Sequence, residues 1–213
     1  MKSLLLLAAV CTLLSASGLV CDPDTDCFYV PARLAAGRAP ALLLLMCNGA
    51  VKADIDSFRF VADSLGWVMA TCHRTRNHVD VEVNDAAVVR TTGKLLGRFP
   101  VDSGRVYLFG FSGQGVQGLA SMYLHPDLFQ GVAAVCAHAG VNELAVWEEL
   151  AGHQVHLVTR TEDWNRTAND RMLAEFRSHG LAAQLEMTPG EHSAGPRAEL
   201  LEAARWLDSS YEK

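Results

Sequence analysis

The chain alternates short runs that are apolar at nearly every residue with longer stretches that are apolar along one helical stripe. That alternation restricts it to an open α/β sheet. The clearest run is Ala41–Cys47, with four consecutive leucines and a methionine between its ends. A strand with one wet face alternates apolar and polar residues. A strand with no polar position must be covered on both faces, as in a parallel sheet flanked by helices. Comparable runs at Phe28–Ala32, Trp67–Thr71, Arg105–Gly110, Gly131–Ala137, Gln154–Thr159 and Ala182–Met187 raise the expectation to about seven strands in a mostly parallel sheet. The intervening spacing is helical. Phe58, Val61, Ala62 and Leu65 form one stripe. Val88, Thr92, Leu95 and Leu96 form a second after Asn84, which reads as its cap. Val116, Leu119, Ala120, Tyr123 and Leu124 form a third, ending before Pro126. Leu173 and Phe176 mark a fourth, and Leu200, Ala204 and Leu207 a fifth after Pro196. Such sheets bind ligands beyond the carboxyl ends of their strands, so chemistry is sought there.

The first residues stand outside this pattern. Lys2 precedes an apolar run from Leu4 to Leu14, and Ser15-Ala16-Ser17 supplies small residues for cleavage. This is the layout of a secretory signal peptide over residues 1–17, too short to span a membrane. Residues 18–213 then form a single domain, secreted or periplasmic. A lipid anchor on Cys21 is disfavoured, because Gly18-Leu19-Val20 lacks the leucine and small residues of a lipobox. Export permits disulfides. Cys21 and Cys27 bracket a short acidic loop and are the expected local pair. The formal charge of −6 over 213 residues leaves no basic excess for neutralising phosphates, which excludes a nucleic-acid partner. No Cys-x-x-Cys or Cys/His finger spacing occurs, so neither a metal nor a cofactor is expected.

The strongest motif follows the Arg105 run. Gly110-Phe111-Ser112-Gly113-Gln114-Gly115 reads as strand, tight turn and helix, with Ser112 at the apex. It departs from G-x-S-x-G in carrying Gln114 where the second glycine stands. Asp163 lies in the loop after the Gln154 run, with Glu162 as a competing acid. His192 lies after the Ala182 run, within Pro189-Gly190-Glu191-His192-Ser193. The chain order Ser, Asp, His is that of the nucleophile-elbow hydrolases. Oxyanion donors would be the backbone N–H groups of Gly113 and of Ala50, the latter in the loop Cys47-Asn48-Gly49-Ala50. His73 and His138 follow strand ends. With Asn48, His78, Gln114 and Trp164 they are candidates for the pocket, and the segment Thr75–His78 suits an anionic or hydroxylated substrate.

On these residues the chain resembles compact α/β-hydrolases of the secreted esterase, feruloyl-esterase and polyhydroxyalkanoate-depolymerase type. It is similar also to the phospholipase/carboxylesterase group. The likeness runs from about Phe28 to Leu207, through Tyr29-Val30-Pro31, the Gly37-Arg38-Ala39-Pro40 turn, Asn48-Gly49 in place of the usual His-Gly, the serine elbow and the histidine loop. Arg160 stands where the family's acid motif has glycine. The resemblance implies Ser112 as nucleophile, His192 as base, Asp163 as its orienter, and no lid insertion. If the strands follow the hydrolase order, those ending at Cys47 and Cys72 are neighbours, which implies a Cys47–Cys72 bridge and a free Cys136. The implied substrate is a small or polymer-derived carboxylic ester. A serine peptidase or amidase, or a non-catalytic binding module on the same fold, stays open as an alternative.

Overall fold

The computed structural model describes residues 17–22, 26–35, 39–45 and 52–211. Eight strands make one sheet: β1 (Gly18–Cys21), β2 (Cys27–Val30), β3 (Ala39–Leu45), β4 (Val68–Thr71), β5 (Val101–Phe111), β6 (Gly131–Val135), β7 (Gln154–Arg160) and β8 (Ala182–Thr188). Their spatial order is β1-β2-β4-β3-β5-β6-β7-β8. β2 is antiparallel to both of its neighbours, and every pairing from β4 to β8 is parallel. Among the described residues the α-helices are α1 (Lys52–Leu65), α2 (Val81–Arg98), α3 (Gly113–Leu124), α4 (Arg166–Ser178) and α5 (Ala198–Tyr211).

The all-apolar strands explain the layering. Along β5, Val106 and Leu108 enter one core, which also takes Val88 and Leu95 of α2, Leu119 of α3 and Phe176 of α4. The alternate residues Tyr107 and Phe109 enter the other, with Phe58 and Val61 of α1 and Leu200 and Leu207 of α5. β6 repeats the alternation: Val132 and Ala134 face one way, Ala133 and Val135 the other. Each inner strand is therefore covered on both faces, as its composition requires.

Several expectations need correction or fall outside the described residues. The sheet gains β1, which pairs with β2 so that Cys21 lies opposite Cys27, and the two form the expected disulfide. Lys94 and Arg98 of α2 hold this hairpin through Asp22, at 2.9 and 2.8 Å. Asn84 does not cap α2. It lies one turn inside, where its Oδ1 accepts from the Arg76 N–H at 3.0 Å and its Nδ2 donates to the Arg76 carbonyl at 2.8 Å. The Cys47–Cys72 bridge is absent, because Cys72 is a free, buried thiol beside Thr91. The Cys72 sulfur instead accepts from the Thr91 hydroxyl at 3.5 Å within the core beside β4. Cys47 itself, the loop holding Asn48 and Ala50, and all of the leader except Ser17 lie outside the described residues.

One buried polar residue predicts a pH response. His156 on β7 is 1% exposed; Gln184 binds its Nδ1 at 2.9 Å, and the Trp206 ring meets it edge-on. Burial pushes its imidazole down to about 4 from the ordinary 6.5. Glu186 lies 3.5 Å from Nε2 but does not compensate, since burial and then Glu199 and Glu202 raise its own carboxyl. Between pH 6.5 and about 4 the unfolded chain takes up a proton that the folded chain refuses, so stability falls as pH drops through that window. The loss should be roughly 2–3 kcal/mol. Urea unfolding at pH 7 and at pH 4.5 measures it, and His156→Gln should flatten the difference.

Candidate active site

The turn after β5 is built from close backbone contact. A Cβ on Gly110 would lie 2.2 Å from the Gln114 carbonyl oxygen, and one on Gly115 would lie 2.9 Å from the Gly110 oxygen. The two glycines thus close the turn against each other. Gln114, at the position the motif usually gives to glycine, turns inward and donates from Nε2 to Asn77 Oδ1 at 3.1 Å. Ser112 sits between them at φ 54°, ψ −125°, a conformation that costs an L-residue roughly 1–3 kcal/mol. Its N–H donates to the Val135 carbonyl at 2.7 Å, and α3 begins at the next residue. Its hydroxyl therefore stands over the positive end of a helix.

Asp163 and His192 meet that hydroxyl from β7 and β8. His192 Nε2 lies 3.0 Å from Ser112 Oγ, and His192 Nδ1 lies 2.7 Å from Asp163 Oδ1. Burial raises the Asp163 carboxyl. The Asn165 N–H, His192 and Thr159 outweigh that effect and hold it below the usual carboxylate range. Asn165 N–H donates to Oδ1 at 3.0 Å and Thr159 Oγ1 to Oδ2 at 2.8 Å. An ionised carboxylate only accepts, so Nδ1 carries the imidazole proton and Nε2 presents its lone pair to Ser112. The competing acid Glu162 is exposed, and its backbone N–H binds the Gly190 carbonyl.

The histidine is held from three sides. The Trp164 ring stacks on it at 3.8 Å between centroids while remaining 75% exposed, and Phe111 packs at 5.0 Å. From behind, Arg160 ties the histidine loop to α5. Its buried guanidinium donates to both carboxylate oxygens of Glu199 at 2.7 and 3.0 Å, to the Ser193 carbonyl at 3.3 Å, and to the Thr188 hydroxyl. Gly195, at φ +72°, leaves room for it, since a Cβ there would fall 1.8 Å from an Arg160 nitrogen. Sequence reasoning registered Arg160 only as a missing glycine. The signal that it does something was a cation at the end of a buried strand.

Cys136 follows β6 in a second left-handed turn, at φ 51°, and its Sγ, an Asp163 carboxylate oxygen and a His192 ring nitrogen lie within 4.8 Å of one another. Those donor types suit a thiophilic cation only with the sulfur deprotonated. Burial, and then the Asp163 carboxylate, push the free thiol up to about 12, and its Sγ donates to the Ser193 carbonyl at 3.5 Å.

A cleft of about 430 Å³ opens over Ser112 and Gly113. Of the candidate pocket residues, His78, His138 and Trp164 line it. His73 does not; its N–H is turned to Asp26 at 3.2 Å. Gln114 is buried beneath it. Gly113 is the first residue of α3, so its N–H precedes the helical bonding pattern. The Asn77 amide, read from sequence only as part of a loop segment, packs where a Gly113 side chain would lie, 2.8 Å from the Cβ position.

By sequence the chain matches no family model and no curated protein. By structure it is similar to an arylesterase, with a TM-score of 0.68 at 14% identity over 96% of this chain and 91% of that one. A carboxylesterase of Bacillus cereus gives 0.69 at 14% identity, covering 89% of this chain and 96% of that one. The fluorophosphonate-binding serine hydrolase F of Staphylococcus aureus gives 0.67 at 12% identity over 90% and 97%. The chain shares the α/β-hydrolase fold of these proteins.

Proposed function

We propose that residues 18–213 form an exported serine hydrolase that cleaves carboxylic esters through an acyl-enzyme on Ser112. The observation that carries this reading is the unbroken chain from Asp163 through His192 to Ser112, at 2.7 and 3.0 Å, with the serine held in a strained turn at a helix start. His192 Nε2 takes the Ser112 proton as Oγ attacks the acyl carbon, and Asp163 stabilises the imidazolium. The carbonyl oxygen becomes an oxyanion, met by the N–H groups of Gly113 and Ala50. Collapse expels the alcohol, which receives the proton from His192. Water, deprotonated by the same nitrogen, then releases the acid and restores Ser112. Export is supported by the leader pattern and by the Cys21–Cys27 bridge, a bond kept in oxidising compartments. No helix among the described residues is long and apolar enough to cross a membrane. The substrate is a small or polymer-derived ester.

A fluorophosphonate probe followed by peptide mass mapping should place one adduct on Ser112. The same preparation should turn over p-nitrophenyl esters from acetyl to octanoyl and leave aminoacyl p-nitroanilides untouched. Anilide turnover above ester turnover would move the reading to a peptidase. Absence of both adduct and turnover would sink it.

A further inference from the structure

The cleft over Ser112 carries one formal charge among its described lining residues, and that charge is positive. Arg76 forms its wall, beside the amides of Asn77, Gln117 and Asn165, and no Asp or Glu lines it among the described residues. This is not the default for a chain of net charge −6. Arg76 is also built in. Buried Asn84 holds both its backbone N–H and its carbonyl, at 3.0 and 2.8 Å. One terminal nitrogen, Nη1, donates to the Thr75 carbonyl at 2.9 Å and to the His73 carbonyl. Among the described residues Nε and Nη2 have no partner, and no carboxylate pairs with the guanidinium. On its far side Arg76 borders a second depression of about 650 Å³, where Arg74 and Arg90 face a single acid, Glu82.

We propose, resting on the ester-hydrolase reading above, that Arg76 recognises a carboxylate carried by the substrate, so that the preferred substrates are anionic esters. A guanidinium fixed through one nitrogen keeps a planar pair of N–H donors free, which matches a carboxylate in bidentate geometry. A concave wall of one sign raises the local concentration of the opposite charge and does so less as salt is added. The neighbouring amides complete the site as donors to the carboxylate or to polar groups near it.

The test compares matched pairs. Mono-(4-nitrophenyl) glutarate against 4-nitrophenyl valerate puts the carboxylate on the acyl side. 4-Acetoxybenzoate against 4-acetoxybenzamide puts it on the leaving alcohol. Each kcat/KM is divided by that ester's rate with hydroxide. In one of the two pairs the anionic ester should lead by about tenfold, the size of one charge-assisted hydrogen bond at a half-exposed site. The lead should shrink with added salt. Arg76→Gln should lower the anionic ester about tenfold more than its neutral partner, and Arg76→Lys should retain part of the preference. Equal or neutral-favouring ratios in both pairs overturn the proposal while leaving ester hydrolysis intact. So does an equal loss on all four esters in Arg76→Gln. If none of the four is hydrolysed and Ser112 takes no fluorophosphonate, the hydrolase reading falls and this one falls with it.

Discussion

Ser112→Ala is expected to leave a folded protein whose turnover of p-nitrophenyl acetate is down by about 10⁴-fold or more. The hydroxyl is the only group of the trio that forms a bond to the substrate in the proposed mechanism. Asp163, His192 and the N–H donors would retain some binding and polarisation without it. Replacing the residue also probes the turn. At φ 54° a Cβ is strained and glycine is not. Ser112→Gly should therefore be more stable than Ser112→Ala by about 1 kcal/mol, although both lack the nucleophile. Equal turnover by wild type and Ser112→Ala would end the serine-hydrolase reading. Equal stability of the two variants would instead show that the turn is relaxed in solution.

The second large effect belongs to Arg160. Its guanidinium and the Glu199 carboxylate are 2% and 13% exposed as side chains. Arg160→Met strands the acid, and a buried pair broken on one side typically costs about 3–5 kcal/mol. The double variant Arg160→Met/Glu199→Met removes both charges and should regain most of that stability, since apolar replacement of a buried pair is often neutral. It should not regain the catalytic rate. The Ser193 carbonyl and the Thr188 hydroxyl would still lack the guanidinium, and the loop that carries His192 would lose its tie to α5. The measurement is kcat against KM, with urea stability alongside. A double variant with wild-type kcat would reduce Arg160 to a structural residue.

What could be read in advance follows from what is local. The strands announce themselves because Leu42, Tyr107 and Phe109 have no polar neighbours to turn to water. The reacting groups could be placed because each follows a recognisable strand end. The misreadings come from partners outside the residue's own helix or strand. Asn84 before a helical stripe has the pattern of a cap, and only the Arg76 loop lying across the helix shows that its amide is used elsewhere. β1 is four residues long and exists as a strand only by pairing with β2. Arg160 looked like a lapse in a motif because Glu199, which neutralises it, lies in the last helix. The oxyanion donor expected at Ala50 lies outside the described residues, so that part of the site rests on its motif.

The second left-handed turn, at Cys136, bears on how the site keeps its dimensions. Ser112 donates its N–H to Val135 at the end of β6, and Cys136 donates its own to Val158 within β7, each at 2.7 Å. The two turns are thus rungs of the ladder, carried one step past the strands. The nucleophile is spaced from the acid loop by backbone pitch instead of by side-chain contact. Tolerance in this part of the active site is then inherited from the sheet, like the marks on a ruler, and substitutions in the surrounding loops can alter what the cleft accepts without moving Ser112 relative to β6 and β7.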